Sequence, residues 1–144
     1  IYPEMTAIEA RQTPEVLTRV QKNFSLYSGA LFELLTEHLI RERVLFPHIH
    51  INQLGRWWHN EMEIDLVSIC EDEDLMICVE CKWTDLSKNE AMSILKKLEE
   101  KSRNIWWRNE NRKTICALVG KKISGKDEIR KAGYEVHDLS DIPY

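Results

Sequence analysis

No apolar run in this chain approaches the roughly 20 residues that a bilayer-spanning helix needs. Nor does the start have the charged, apolar and small-residue succession of a signal peptide. A membrane-spanning or exported protein is therefore not expected. Repeats and low-complexity tracts are also missing, which leaves the 144 residues to one domain with one substantial core. A large positive excess is absent too. With a net charge of −4, the chain is no bulk polycation that grips nucleic acid nonspecifically. Cysteines number only four: Cys70, Cys78, Cys81 and Cys116, all within apolar runs that read as strands. Cys78 and Cys81 form a C-x-x-C, but residues three apart on a strand point to opposite faces, so the pair cannot share a zinc or a bridge. Four reduced core thiols are expected, and with them a reducing, cytoplasmic compartment.

What is present is an ordinary globular composition, 43% hydrophobic and 31% charged, with the charge unevenly spread. Residues 1–83 carry 7 Lys/Arg against 14 Asp/Glu, whereas residues 84–131 carry 13 against 7. An acidic patch beside a basic segment suits a metal-assisted phosphodiesterase, though solvated helix faces give the same numbers. The chain starts at Ile1 rather than Met, and a piece of something longer is expected, with residues 1–13 leading in from an upstream domain.

The patterning predicts alternating elements. Thr13-Pro14 has the form of a helix start. A longer helix is expected from about Ser28 to Arg43, with Leu31, Leu34, Leu35 and Leu39 as its apolar stripe and Glu33 and Glu37 off it. Strands are expected at Leu54–His59, Glu63–Cys70 and Leu75–Trp83, the last two joined by the acidic turn Glu71–Asp74. Ser87 and Glu90 form a capping box for a helix over Ser87–Arg103, buried through Ala91, Ile94, Leu95 and Leu98. A strand at Lys113–Val119, a short helix at Lys126–Lys131 and a strand at Tyr134–Asp138 complete an α/β chain. It implies a mixed sheet with helices on both faces.

The chemistry gathers on the hairpin. Pairing Cys70 with Leu75 keeps one face almost wholly apolar, whereas a one-residue slip mixes charge into it. In this register Asp65 falls opposite Glu80, and Glu63 opposite Lys82. Two carboxylates directly across a strand pair repel, so a cation is expected between them. Lys82 is one candidate and a divalent ion the stronger one, since Mg²⁺ takes one or two carboxylates and keeps waters and substrate phosphate for the rest. The competing reading is a cross-strand ion-pair cluster at a solvated sheet end.

The stretches Gly29-Ala30-Leu31-Phe32-Glu33, RWWHNEMEIDLV over 56–67, and ECKW over 80–83 resemble the PD-(D/E)XK restriction-endonuclease-like superfamily. More narrowly, they are similar to the uncharacterised C-terminal domain of archaeal AAA-type ATPases. The resemblance implies a three-layer αβα domain over residues 14–144 with a mixed central sheet. It implies Asp65 and Glu80 as metal ligands, the Cys81 backbone carbonyl as a further ligand, Lys82 as the catalytic lysine and Glu33 as the auxiliary helix acid. Mg²⁺ or Mn²⁺ would be the cofactor and DNA the substrate, with an ATPase domain upstream in the same chain. A homodimer is a further expectation, because nucleases that cut both strands often pair. The alternative is a catalytically inactive domain of the same fold that binds nucleic acid or protein for the ATPase.

Other features weigh less. Gly120 to Asp127 comes near a phosphate-binding loop, but Asp127 stands where Ser/Thr is needed and would oppose phosphate; a basic loop touching a nucleic-acid backbone is a better use of its lysines. His48, His50 and His59 lack partners to complete a zinc set. Trp106 and Trp107 lie among Arg103, Arg108 and Arg112, a mixture that suits single-strand stacking. Tryptophans more often fill cores and interfaces, and that is the expectation for most of the five.

Overall fold

The computed structural model describes residues 13–143. Helix α1 spans Thr13–Arg41. It is followed by strands β1 (Gln53–His59), β2 (Met62–Cys70) and β3 (Leu75–Leu86), helix α2 (Lys88–Ser102), strand β4 (Lys113–Ile123), helix α3 (Lys126–Lys131), strand β5 (Glu135–His137) and a 3-10 turn at Leu139–Asp141. The five strands lie in the order β1-β2-β3-β4-β5. Strands β1 to β3 form an antiparallel meander, while β4 and β5 run parallel to β3, each reached over a helix. This is the mixed α/β sheet expected from the element order.

Two apolar clusters show why the molecule has three layers. On one face Phe32, Leu39 and Ile40 of α1 meet Leu66, Ile77, Val79 and Val119. On the other, Ala91, Leu95 and Leu98 of α2 and Ile129 of α3 meet Ile64, Met76, Cys78 and Leu118. Each fully buried leucine or isoleucine contributes about 2 kcal/mol relative to an exposed one. The α2 start is capped as expected: Glu90 N–H donates to Ser87 Oγ and Ser87 N–H to Glu90 Oε1, both at 3.2 Å. All four cysteines are free and buried, with Cys78 and Cys81 in opposite clusters. Among the described residues no helix is long and apolar enough to cross a membrane.

Three expectations need correction. First, Thr13 begins one continuous 29-residue helix rather than a short helix before a second one at Ser28; of the expected lead-in over residues 1–13, residues 1–12 lie outside the described residues. Second, the buried face of α1 is Phe32, Thr36, Leu39 and Ile40, while Leu31, Leu34 and Leu35 face solvent. Thr36 tolerates burial because its hydroxyl donates to the Phe32 carbonyl one turn back, at 2.8 Å. Third, Gly120 to Ile123 continue β4 instead of forming a loop. Lys126 is not free for phosphate either, since its ammonium is bound to Asp138, Ser140 and Asp141.

Candidate active site

The β2–β3 register is the expected one from Cys70↔Leu75 to Leu66↔Val79, and there the ladder ends. The reason lies on the other edge of β2. Gly55 pairs with Val67 but Trp57 with Ile64, so Asp65 and Leu66 together stand against Arg56. That is a β-bulge, a device that bends a strand and re-aims a side chain. Its consequence is visible in the packing: Ile64 belongs to the cluster under α2, whereas Leu66 belongs to the cluster under α1. Glu63 consequently does not meet Lys82 as the uninterrupted register required; it pairs with Trp58, and its carbonyl accepts from Lys101 Nζ at 3.0 Å.

The bulge turns Asp65 toward α1. It lines a cleft of about 330 Å³ with Ala30, Glu33, Leu34, Glu37, Arg56 and Leu66. Its Oδ2 accepts the Cys81 N–H at 2.9 Å, filling the position that a β2 carbonyl would hold in an unbroken ladder. A residue's N–H and C=O leave an extended strand on the same edge, so the Cys81 carbonyl faces this opening as well. Glu80 points the other way, toward α2, where Lys101 Nζ comes within 3.6 Å of its Oε1. The Asp65 carboxylate, in the gap where β2 and β3 part, is nonetheless near enough for its charge to raise Glu80. Asp65 stands in the same relation to Glu33 on the α1 side. Three carboxyl groups therefore form a row, with Asp65 in the middle.

Electrostatics mark Glu80 as the strained member. It is only 6% exposed, and its Oε1 has no hydrogen-bond donor. Burial and then the Asp65 charge push its carboxyl up to about 7, against the pull of Lys101 and Lys82. Burial and Asp65 also raise Glu33, while Arg56 opposes them through contacts of 3.2 Å to both Glu33 oxygens. The Cys81 thiol is pushed up to about 12 by burial, and so is no nucleophile. Lys82 is exposed and close enough to Glu80 to lower it.

The donor set suits a hard divalent cation. It has the Asp65 and Glu80 carboxylates on the two sides of the gap, the latter buried, and the Cys81 carbonyl edge beside them. Among the described residues no group of three or more His, Cys, Asp or Glu forms a ready-made metal cage. Of the expected residues, the structure brings Glu33, Asp65, Glu80 and the Cys81 backbone together, with Lys82 at the rim.

Two cations escaped the sequence reading. Arg56 sits within the RWWHNEMEIDLV run but gave no sign of facing Glu33. Lys101 was detectable in principle: the buried spacing Ala91, Leu95, Leu98 continues to Ser102, so the last turn of α2 still lies on the sheet and carries Lys101 beside it. The other candidates stay apart. His48 and His59 are exposed, and His50 contacts Arg43 at 3.3 Å. Trp58 and Trp106 are exposed, whereas Trp57 and Trp107 pack against the core. Asp74 of the acidic turn is paired with Arg108 at 2.9 Å.

Comparison with known proteins places the chain in a lineage. The DUF234 family, described as archaeal and bacterial proteins of unknown function, matches residues 1–94. An uncharacterised protein of Methanocaldococcus jannaschii is 27% identical over 142 residues, which are 97% of this chain and 31% of that protein. The chain thus spans about a third of that relative's length. The crystal structure of a repair endonuclease from Pyrococcus abyssi aligns over 74% of this chain and 45% of its own, with a TM-score of 0.48 and 17% identity.

Proposed function

The chain belongs to the DUF234 family, and from its site we propose a divalent-metal-dependent nuclease domain of the PD-(D/E)XK type that hydrolyses DNA phosphodiester bonds. The observation that carries this reading is the meeting of Asp65 and Glu80 where the hairpin opens, with a buried Glu80 oxygen that has no donor. Like charges held together at a loss are what a cation site presents before its ion arrives.

In this reading Asp65, Glu80 and the Cys81 carbonyl hold Mg²⁺ or Mn²⁺, which supplies Lewis acidity and charge neutralisation at the phosphoryl group. Lys82, exposed beside Glu80, orients the attacking water with its ammonium group. The Cys81 N–H fixes the Asp65 carboxylate. Glu33, tied down by Arg56, is the auxiliary acid on the helix side of the cleft. Attachment to an upstream ATPase belongs to the same proposal. It is supported by the similarity of the ECKW and EID stretches to the C-terminal domains of such ATPases, and by a relative about three times as long.

A second reading has its own observation. Lys101 and Arg56 already serve Glu80 and Glu33, so the row could be an internally compensated ion cluster on a binding domain without catalysis. The test is cleavage of plasmid and oligonucleotide DNA with Mn²⁺, comparing the chain with Lys82→Ala. Because Lys82 is exposed and outside the core, its loss should abolish cutting while the fold persists. Equal cutting by both forms, or none by either, rejects the nuclease reading.

A further inference from the structure

Loop 103–112 joins α2 to β4 and is tied down by its own side chains. Arg112 donates to the Ser102, Ile105 and Trp107 carbonyls at 2.8, 2.6 and 3.1 Å. The Asn109 side chain accepts the Trp107 N–H at 2.7 Å and donates to the Ile105 carbonyl at 3.0 Å. Arg108 fastens the loop to the β2–β3 turn, through the Glu71 carbonyl at 2.6 Å and Asp74 at 2.9 Å. Ile105 is buried and Trp107 packs against the core, yet Trp106 between them is 91% exposed. An indole carries one of the largest apolar surfaces of any side chain and is ordinarily well covered. Here the loop buries both neighbours and holds the indole in water.

Trp106 and Trp107 face Trp57, Val67 and Ile69 across a groove of about 370 Å³ on the α2 side of the β1 edge. Its walls hold no acidic residue, and Arg56 is their one charged residue. Arg56 also lines the cleft that contains Asp65, so the groove and the candidate active site meet at the β1 edge. The acidic turn lies off the other end of β1, where Asn52 Oδ1 accepts the Glu71 N–H at 2.8 Å. A polyanion resting on Trp106 is therefore repelled at that end and drawn toward Arg56.

We propose that this groove is a single-strand site: an unpaired base stacks on Trp106, and its backbone crosses the β1 edge at Arg56 toward the carboxylate row. An exposed aromatic next to positive charge is how proteins hold single strands, since every free base offers a π-face. Bases inside a duplex are already stacked on one another and offer none. The groove thus selects single-stranded over duplex DNA. Delivery to the carboxylates rests on the nuclease reading, whereas capture of the strand does not.

The test is fluorescence anisotropy of a labelled DNA strand of about 15 nucleotides, alone and annealed to its complement. It is run in EDTA on the unsubstituted chain, Trp106→Ala and Trp106→Phe. The single strand should bind at least about 10-fold more tightly than the duplex, and Trp106→Ala should weaken it by about 10-fold. Trp106→Phe should restore most of the binding, while less of the chain's tryptophan fluorescence is quenched by the strand. All three should unfold at the same temperature, because Trp106 lies in solvent. Equal binding of strand and duplex, or single-strand binding indifferent to Trp106→Ala, would overturn the proposal; the latter would hand Trp106 to a protein contact. Binding that needs Trp106, without Mn²⁺-dependent cutting of the same strand, would uphold the groove and sink the nuclease reading alone.

Discussion

Two buried carboxylates, Glu80 and Asp138, stand at 6% and 3% exposure and meet opposite fates. Asp138 begins the 3-10 turn after β5. Burial alone would raise its carboxyl, yet its donors hold it well below the usual carboxylate range. It accepts from the Ile123 N–H and Lys126 Nζ at 2.9 Å, from the Ser140 N–H at 3.0 Å and from the Ser140 hydroxyl. Glu80 has Lys101 Nζ 3.6 Å from its buried Oε1, too far for a hydrogen bond, and a carboxylate neighbour, and is pushed up to about 7. The same physics acts at both places, and only the supply of donors differs. Asp138 is a finished structural joint that ties α3 and the chain's last turn to β4. Glu80 has too few donors to hold its charge comfortably, which is what the proposed cation would relieve.

The variants that test this contrast differ in size of effect. The largest should fall on cleavage: Glu80→Gln should cut Mn²⁺-dependent hydrolysis by about a thousandfold, the scale of losing a group that stabilises transition-state charge, measured on oligonucleotides. Next is Asp138→Ala, which leaves the Lys126 ammonium and the Ile123 N–H without their acceptor. It should cost about 3 kcal/mol in urea denaturation without touching the carboxylate row. Glu80→Gln should then do something Asp138→Ala cannot, and stabilise the fold. The folded Glu80 value lies above its ordinary 4.5, so the native state holds the extra proton. Glu80's contribution is complete below about pH 4.5 and is lost as pH rises through about 7. The variant should therefore match the unsubstituted chain near pH 4.5 and exceed it by roughly 2 kcal/mol at pH 8; a pH series of thermal unfolding curves decides this. The smallest effect is expected from Lys101→Met, which removes a competing cation beside Glu80. Mn²⁺ should bind a few-fold more tightly, as titration calorimetry would show.

How far the site could be read from residues alone follows from the kind of signal each part leaves. The apolar runs Leu66–Cys70 and Leu75–Val79 meet charge only at their open end, where a one-residue slip would carry Lys82 onto an apolar face, so the hairpin register was legible. The bulge at Asp65-Leu66 was not, because an extra residue on one strand is defined by its partner strand and leaves no composition mark. Asp65 and Glu80 were expected to face one side of a flat hairpin. They approach instead from two sides of the gap that the bulge opens. The buried face of α1 was misread because leucines were counted as core and Thr36 as surface, although a threonine bonded to its own helix backbone buries at little cost.

The account rests on Glu80 being held in readiness for a divalent cation. Titration calorimetry with Mn²⁺ at pH 7.5 on the unsubstituted chain, Glu80→Gln and Asp138→Asn tests this most directly. The account predicts saturable binding that Glu80→Gln abolishes and Asp138→Asn retains. An absence of saturable binding, or binding that survives Glu80→Gln unchanged, would contradict it and leave the carboxylate row as an ion cluster compensated by Lys101 and Arg56.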